Sequence, residues 1–263
     1  MEKVDKIKSN QELLKESRIR SSDEIKENPV CMSILEGVKE IPLLTLSNFS
    51  AIIGPAKSRK TFLLTLILGC MSGLGILQSK LKKNLTGKVV LFDTEQSAFH
   101  VQKVIKRVEK LAENDKLFSV YGLRPFAPSK RIELIEEYLY TNEGVKFVAI
   151  DGIRDLVRNI NSEEEATDIA SKLMKWTYDL NLHIITVIHM NKGDKSARGH
   201  IGSEIQNKSE TVISVTKDIT DREISNVKHE FARGMDFEDF SFIIAGGLPQ
   251  INLKEGEEKT TPF

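Results

Sequence analysis

The chain has 263 residues, 40% of them apolar and 29% charged, and its 38 Lys and Arg balance 38 Asp and Glu. That length suits one large domain, or one domain with a small appendage, and the composition excludes general disorder. Net neutrality excludes a uniformly basic packaging protein and an acidic tail protein, while a local basic surface fits within it.

Residues 1–44 read as an N-terminal arm and lead-in segment. Leu13, Leu14, Ile19 and Ile25 hold no single helical period, whereas Leu35, Val38, Ile41, Leu43 and Leu44 are suited to packing on a core. From residue 45 onward, strand and helix patterns alternate. Phe49–Ile53 predicts a short strand, and Thr61–Ser72 a helix apolar on more than one face, hence buried. Lys88–Phe92 predicts a strand. Ser97–Asn114 predicts a helix with Val101, Val104, Ile105, Val108 and Leu111 on one stripe, and Leu117–Tyr121 another strand. Ser129 is the expected N-cap of a helix to Tyr140, with Ile132, Ile135 and Leu139 inward. Strand Lys146–Ile150, helix Glu163–Leu180 and strand His183–Ile188 follow. The rhythm then changes to strands separated only by turns, at Thr211–Thr216, Glu223–Phe231, Phe240–Ala245 and Ile251–Leu253.

This order predicts an α/β domain over residues 45–254. Its mostly parallel sheet is flanked by helices and continues into antiparallel C-terminal strands; residues 255–263 form a tail. Cys31 and Cys70 are too few for a disulfide framework, and Cys70 sits in an apolar run as a buried thiol would. The first residues are charged throughout, and the apolar stretch Phe62–Leu77 is short and broken by glycine. A cytoplasmic chain with no membrane partner is expected.

The most informative segment is Gly54-Pro55-Ala56-Lys57-Ser58-Arg59-Lys60-Thr61-Phe62, between a strand and a helix. It fits the phosphate-loop pattern G-x-x-x-x-G-K-[ST] at Gly54, Lys60 and Thr61, with Arg59 in place of the second glycine. Backbone N–H groups of such a loop cradle phosphates, Lys60 reaches the β- and γ-phosphates, and the Thr61 hydroxyl meets Mg²⁺. Arg59 leaves two readings open. Either the loop adopts a conformation that Arg tolerates, with the side chain turned away or adding charge, or nucleotide binding is impaired.

Asp151 ends the strand Phe147–Ile150, where a carboxylate either meets Mg²⁺ or caps a helix or turn. Asp93 and Glu95 follow another strand; a glutamate there either orients or deprotonates an attacking water or is a solvated loop acid. His189 follows the strand Ile184–Ile188, where it is either a sensor of a γ-phosphate or a plain strand-end histidine. The segment Met190–Lys208 shows little regular pattern and carries Lys192, Lys195 and Arg198, which suit a nucleic-acid backbone or simply solvent. It has no Phe, Tyr or Trp for base stacking. Lys228 and Arg233 bracket a strand end; either a neighbour's phosphate or plain solvent accounts for them.

Together, GPAKSRKT at 54–61, FDTE at 92–95, FVAIDG at 147–152, TVIHMNKG at 186–193, RGHIGS at 198–203 and KHEFARG at 228–234 resemble the RecA-like P-loop ATPases. The likeness is to the RepA-type hexameric replicative helicases and the AAA family ATPases of mobile elements. It spans about residues 45–247 and implies a RecA-like core. The resemblance implies ATP and Mg²⁺ as ligands, Lys60 and Thr61 as the first nucleotide motif, Glu95 as the catalytic glutamate and Asp151 as the magnesium-side acid. It further implies His189 as a sensor, the 190–208 loop facing single-stranded DNA, and Lys228 and Arg233 as a pair acting on a neighbouring copy in a hexameric ring. An ATP-binding switch without translocation and an interaction protein with a decayed site are the alternatives. No G-x-G-x-x-G run supports dinucleotide chemistry, and no H-R-D or D-F-G supports protein-kinase chemistry.

Overall fold

The structure, a computed structural model, describes residues 9–73, 75–113, 118–190 and 197–253. In chain order it contains α1 (Asn10–Glu16), β1 (Val30–Glu36), β2 (Lys39–Thr45), β3 (Phe49–Gly54), α2 (Lys60–Ser72), β4 (Ile76–Leu77), β5 (Leu81–Lys83), β6 (Lys88–Asp93), α3 (Ala98–Ala112) and β7 (Phe118–Gly122). There follow α4 (Pro128–Thr141), β8 (Val145–Asp151), a 3₁₀ turn at Ile153–Leu156, α5 (Glu163–Leu180), β9 (His183–His189), α6 (Gly199–Lys208), β10 (Thr211–Lys217), β11 (Ile224–Ala232), β12 (Phe240–Ala245) and β13 (Leu248–Asn252).

Nine strands form one sheet in the order β13-β12-β11-β10-β3-β9-β8-β6-β7. From β10 through β7 every neighbouring pair is parallel. β10 to β13 pair antiparallel. The alternating pattern followed by turn-linked strands in the sequence thus corresponds to a parallel half and an antiparallel half. The central strands are apolar along their length because both faces are covered. One face holds Ile52, Leu91 and Ile185 beneath α2 and α3. The other holds Ala51, Phe92 and Ile184 beneath α4, α5 and α6. Helix α2 is buried nearly all round because the sheet lies on one side and α3 on the other. At Gly69 even a Cβ would come within 2.8 Å of the Leu111 side chain, so the two helices approach closely there.

Three elements differ from the expectations. The lead-in before residue 45 is a β1–β2 hairpin, completed by β5 and β4 as a second sheet of order β2-β1-β5-β4. Ile41, Leu43 and Leu44 are buried as expected, together with Cys31, Met32 and Ile34, in the α2 face of the core, whereas Val38 is exposed. β1 escapes the sequence pattern because its burial is a contiguous run rather than an alternation. The helix expected to be capped by Ser129 has Ala127 at its N-cap and Pro128 in its first turn, with no side-chain cap. The preset φ of proline favours that position. The segment expected to be a loop to Lys208 is helical from Gly199 onward, because Ile201 and Ile205, four residues apart, bury one face. Cys31 and Cys70 are both buried and free. Among the described residues no helix is long and apolar enough to cross a membrane. The expected tail at 255–263 lies outside the described residues.

Candidate active site

Parallel strands all end on one side, and open α/β sheets present ligand-binding groups there. Here β3, β9, β8 and β6 are neighbours, and their registers set Gly54 opposite His189 and Asp93 opposite Asp151. Residues far apart in sequence thereby meet along one edge.

The phosphate loop runs from Gly54 to Lys60. A Cβ on Gly54 would lie 2.3 Å from the Val215 carbonyl oxygen, so only glycine fits where the loop leaves β3. Lys57 and Arg59 both take left-handed backbone angles, at φ 62° and 73°. Pro55, Ala56 and Lys57 are exposed on the crest of the loop, whereas Ser58 and Lys60 are buried beneath it. The Ser58 hydroxyl is buried without a hydrogen-bond partner. Arg59, the N-cap of α2, makes no side-chain hydrogen bond to the first turn, which leaves the helix N-terminus open to an anion. Phe62 turns to α3, where the Arg107 guanidinium lies 4.5 Å over its ring.

Lys60 Nζ donates to the Gly54 and Pro55 carbonyls at 2.9 and 2.8 Å and lies 3.1 Å from His189 Nδ1. Burial lowers its pKa to about 8, with Asp151 and Glu95 pulling the other way. Thr61 Oγ1 donates to Asp151 Oδ2 at 3.1 Å. Asp151 is sealed at the end of β8; burial first, and then the neighbouring Asp93, push its pKa up to about 7. A hydroxyl and a carboxylate side by side form an all-oxygen donor set. Among the described residues no group of three or more His, Cys, Asp or Glu forms a metal cage. The all-oxygen pair fits Mg²⁺, which takes one or two protein oxygens and completes its shell with phosphate and water.

Glu95 stands at the rim, its side chain 55% exposed, with Oε2 3.5 Å from His189 Nε2. Hydrogen bonding to His189 holds its carboxyl below the usual range despite partial burial. Lys60, His189 and Glu95 thus form a continuous polar line from the loop to the rim. Asp93 has a different place. Its Oδ1 accepts from the Glu95 and Gln96 backbone N–H groups at 3.1 and 2.7 Å, so it shapes the turn that presents Glu95. Sequence reasoning missed Gln96, whose Nε2 donates to Asp93 Oδ2 at 2.6 Å and Asp151 Oδ2 at 3.4 Å. It also missed Thr94, whose hydroxyl donates to the Gly152 carbonyl at 2.8 Å and ties β6 to β8. Their one sequence signal is position, immediately beside Glu95 after a buried strand.

The remaining candidates lie elsewhere. Arg198 is exposed; its N–H donates to the His189 carbonyl at 2.9 Å, and Met190 bridges Ala197, so the loop leaves and rejoins the fold at the histidine. Lys192 and Lys195 lie outside the described residues. Lys228 pairs across from Ser214 in mid-strand and faces a separate cavity of about 230 Å³ with Lys80 and Asp239. Arg233 sits at the opposite end of β10 from the phosphate loop, where its N–H donates to the Glu210 carbonyl at 2.9 Å. The structure brings neither residue to this chain's own site.

A family model described as an AAA domain matches residues 18–195, a span that takes in the phosphate loop, Glu95, Asp151 and His189. No curated protein matches the chain.

Proposed function

Because the chain belongs to the AAA domain family of P-loop nucleotide-binding ATPases, we propose that it hydrolyses ATP with Mg²⁺ as a ring-forming, RecA-like ATPase acting on single-stranded DNA. The observation that carries this reading is the polar line Lys60–His189–Glu95 beside the Thr61–Asp151 pair on one sheet edge. Lys60 and the first N–H groups of α2 would hold the phosphates, and Thr61 with Asp151 would hold Mg²⁺, which would supply charge neutralisation for phosphoryl transfer. Glu95 orients water toward the γ-phosphorus and takes its proton as the bond to ADP breaks.

The DNA and ring parts of the proposal draw on other features. His189 touches Lys60 and Glu95 through its ring and the end of the 190–198 loop through its carbonyl. Loss of the γ-phosphate therefore changes contacts at the root of a basic loop. Lys228 and Arg233 are remote from the local site, so any role of theirs in phosphate chemistry falls on a neighbour's nucleotide. ATP turnover measured with and without single-stranded DNA, beside mass determination with a non-hydrolysable ATP analogue, tests the proposal. Stimulation by DNA and a nucleotide-dependent ring support it; turnover that ignores every DNA offered removes the DNA part.

A second reading, an ATP-dependent switch, is favoured by one observation: Lys60 is folded onto its own loop carbonyls and must be released before it can serve a phosphate. Tight ATP binding with assembly but little turnover selects it.

A further inference from the structure

Arg59 stands where the phosphate-loop pattern has glycine, and it adopts the backbone angles a glycine would, φ 73° and ψ 25°. A side chain pays for that conformation through contact between its Cβ and the backbone, so something must hold it there. The guanidinium supplies the hold. Nη1 donates to the Glu223 carbonyl at 2.6 Å and to Ser225 Oγ at 3.1 Å, and Nη2 lies 3.8 Å from the Glu223 carboxylate. The Arg59 side chain is only 15% exposed. It is directed at the start of β11 and away from the phosphate seat.

The anchor itself is firm. Asp218 Oδ1 accepts from the Thr220 and Asp221 N–H groups at 2.8 and 3.0 Å, and its Oδ2 from Asn226 Nδ2 at 2.9 Å. Backbone bonds from Asp218 to Ile224 and from Ile224 to Asp221 close the same turn. The other end of the loop rests on the same hairpin, where Gly54 abuts the Val215 carbonyl. Both ends of the phosphate loop are therefore seated on the β10–β11 hairpin, one by close packing and one by a guanidinium.

We infer that Arg59 is a positioning residue: it clasps the phosphate loop to the β10–β11 turn and so preorganises the seat for the phosphates of a nucleotide. The inference rests on the nucleotide reading above for its consequence, though not for the clasp itself. A loop held in its binding shape loses little freedom when the ligand arrives, and a released loop loses more. The clasp also places the 218–224 turn in direct mechanical contact with the loop that holds the phosphates.

The test compares wild type with Arg59→Met, which keeps bulk but loses the donors, Arg59→Lys, which restores one donor, and Ser225→Ala, which removes one acceptor at a distance from the seat. Calorimetry with MgADP and a non-hydrolysable ATP analogue reads affinity, and amide hydrogen exchange of residues 55–62 in nucleotide-free protein reads the loop. Arg59→Met is expected to weaken both ligands about tenfold and to speed exchange. Arg59→Lys recovers part of each effect. Ser225→Ala raises KM for ATP about threefold with kcat kept. Unchanged exchange in both Arg59→Met and Ser225→Ala overturns the clasp, and weaker binding by Arg59→Met alone then assigns the guanidinium to the phosphates. Should wild type bind neither nucleotide, the nucleotide reading falls while the exchange comparison still decides the clasp. Ser225→Ala also decides it if Arg59→Met does not fold.

Discussion

Strand β9 begins and ends with a histidine, and the two ends differ in kind. His183 has no exposed surface. Its Nδ1 is 2.7 Å from the Thr45 carbonyl, which can only accept, so that nitrogen carries the proton. The ring stacks on Phe147 at 5.8 Å, and Glu210 beside it accepts from the Thr45 backbone N–H at 3.0 Å. This cluster closes on itself and locks the β1–β2 hairpin to the sheet. His189 is partly exposed, and its neighbours, Lys60 and Glu95, reach into the space where the strands end. One residue type on one strand thus closes a packed cluster at the amino end and lines the open strand edge at the carboxyl end. The strand-end rule, and not the residue, makes the distinction.

The largest expected effect falls on the open end. Glu95→Gln removes the proton acceptor while keeping shape, and ATP turnover is expected to drop by about 10²–10⁴-fold with analogue binding retained. Lys60→Ala is expected to abolish turnover by loss of phosphate binding. Glu95→Gln should melt within a few degrees of wild type, because Glu95 stands at the exposed rim. Thermal denaturation beside an ATPase assay checks this; a Glu95→Gln protein that turns over normally removes Glu95 from the chemistry.

The closed end gives the reverse pattern. His183→Ala leaves a cavity against Phe147 and an unpaired Thr45 carbonyl, and is expected to cost about 2–4 kcal/mol of stability. The kcat per folded molecule should stay at the wild-type value. Denaturant unfolding with active-site titration separates the two quantities. A variant stable but inactive would place His183 in the chemistry and break the comparison.

His183 at the closed end of β9 and Asp151 at the end of neighbouring β8 titrate in opposite senses. Burial lowers the pKa of His183 to about 4 from an ordinary 6.5, so its contribution to stability is full above 6.5 and is lost as pH falls toward 4. Burial raises that of Asp151 to about 7 from 3.8, so its contribution is full below 3.8 and is lost as pH rises toward 7. Each slope approaches about 1.4 kcal/mol per pH unit inside its window. In nucleotide-free protein, Asp151→Asn should therefore gain stability over wild type as pH rises from 4 to 7. The deficit of His183→Gln should shrink as pH falls from 6.5 to 4. Unfolding free energies measured across that range, as differences from wild type, test both signs.

The open end was far more legible in the sequence than the closed one. Gly54, Lys60, Thr61, Glu95, Asp151 and His189 each follow a buried strand or open a helix, and a parallel sheet has no choice but to bring such positions to one edge. Cys31, Thr45, His183 and Glu210 meet only because a hairpin packs where no period announces it. The helix at Gly199–Lys208 was hidden for another reason: glycines and polar residues fill it, and only the large apolar Ile201 and Ile205 mark its buried face. Arg59 was legible as a departure from the loop pattern but not as a solution to it, since its partners Glu223 and Ser225 lie on the antiparallel half of the sheet.

The smallest expected effect concerns Gln96, which sharpens what openness means. Its amide donates to Asp93 and Asp151 together and so eases two carboxylates held side by side at the ends of β6 and β8. Gln96→Ala removes that donor, and the pKa of Asp151 should rise further above its already elevated position. More of the carboxyl is then protonated at neutral pH, and a protonated carboxyl is a poor magnesium ligand. The Mg²⁺ concentration for half-maximal turnover is expected to rise roughly two- to tenfold at pH 7. Raising the pH to 8.5 deprotonates Asp151 and should restore most of the loss, whereas a packing defect would persist at both values. Magnesium titrations of turnover at the two pH values distinguish these outcomes, and an equal loss at both would reduce Gln96 to a strut.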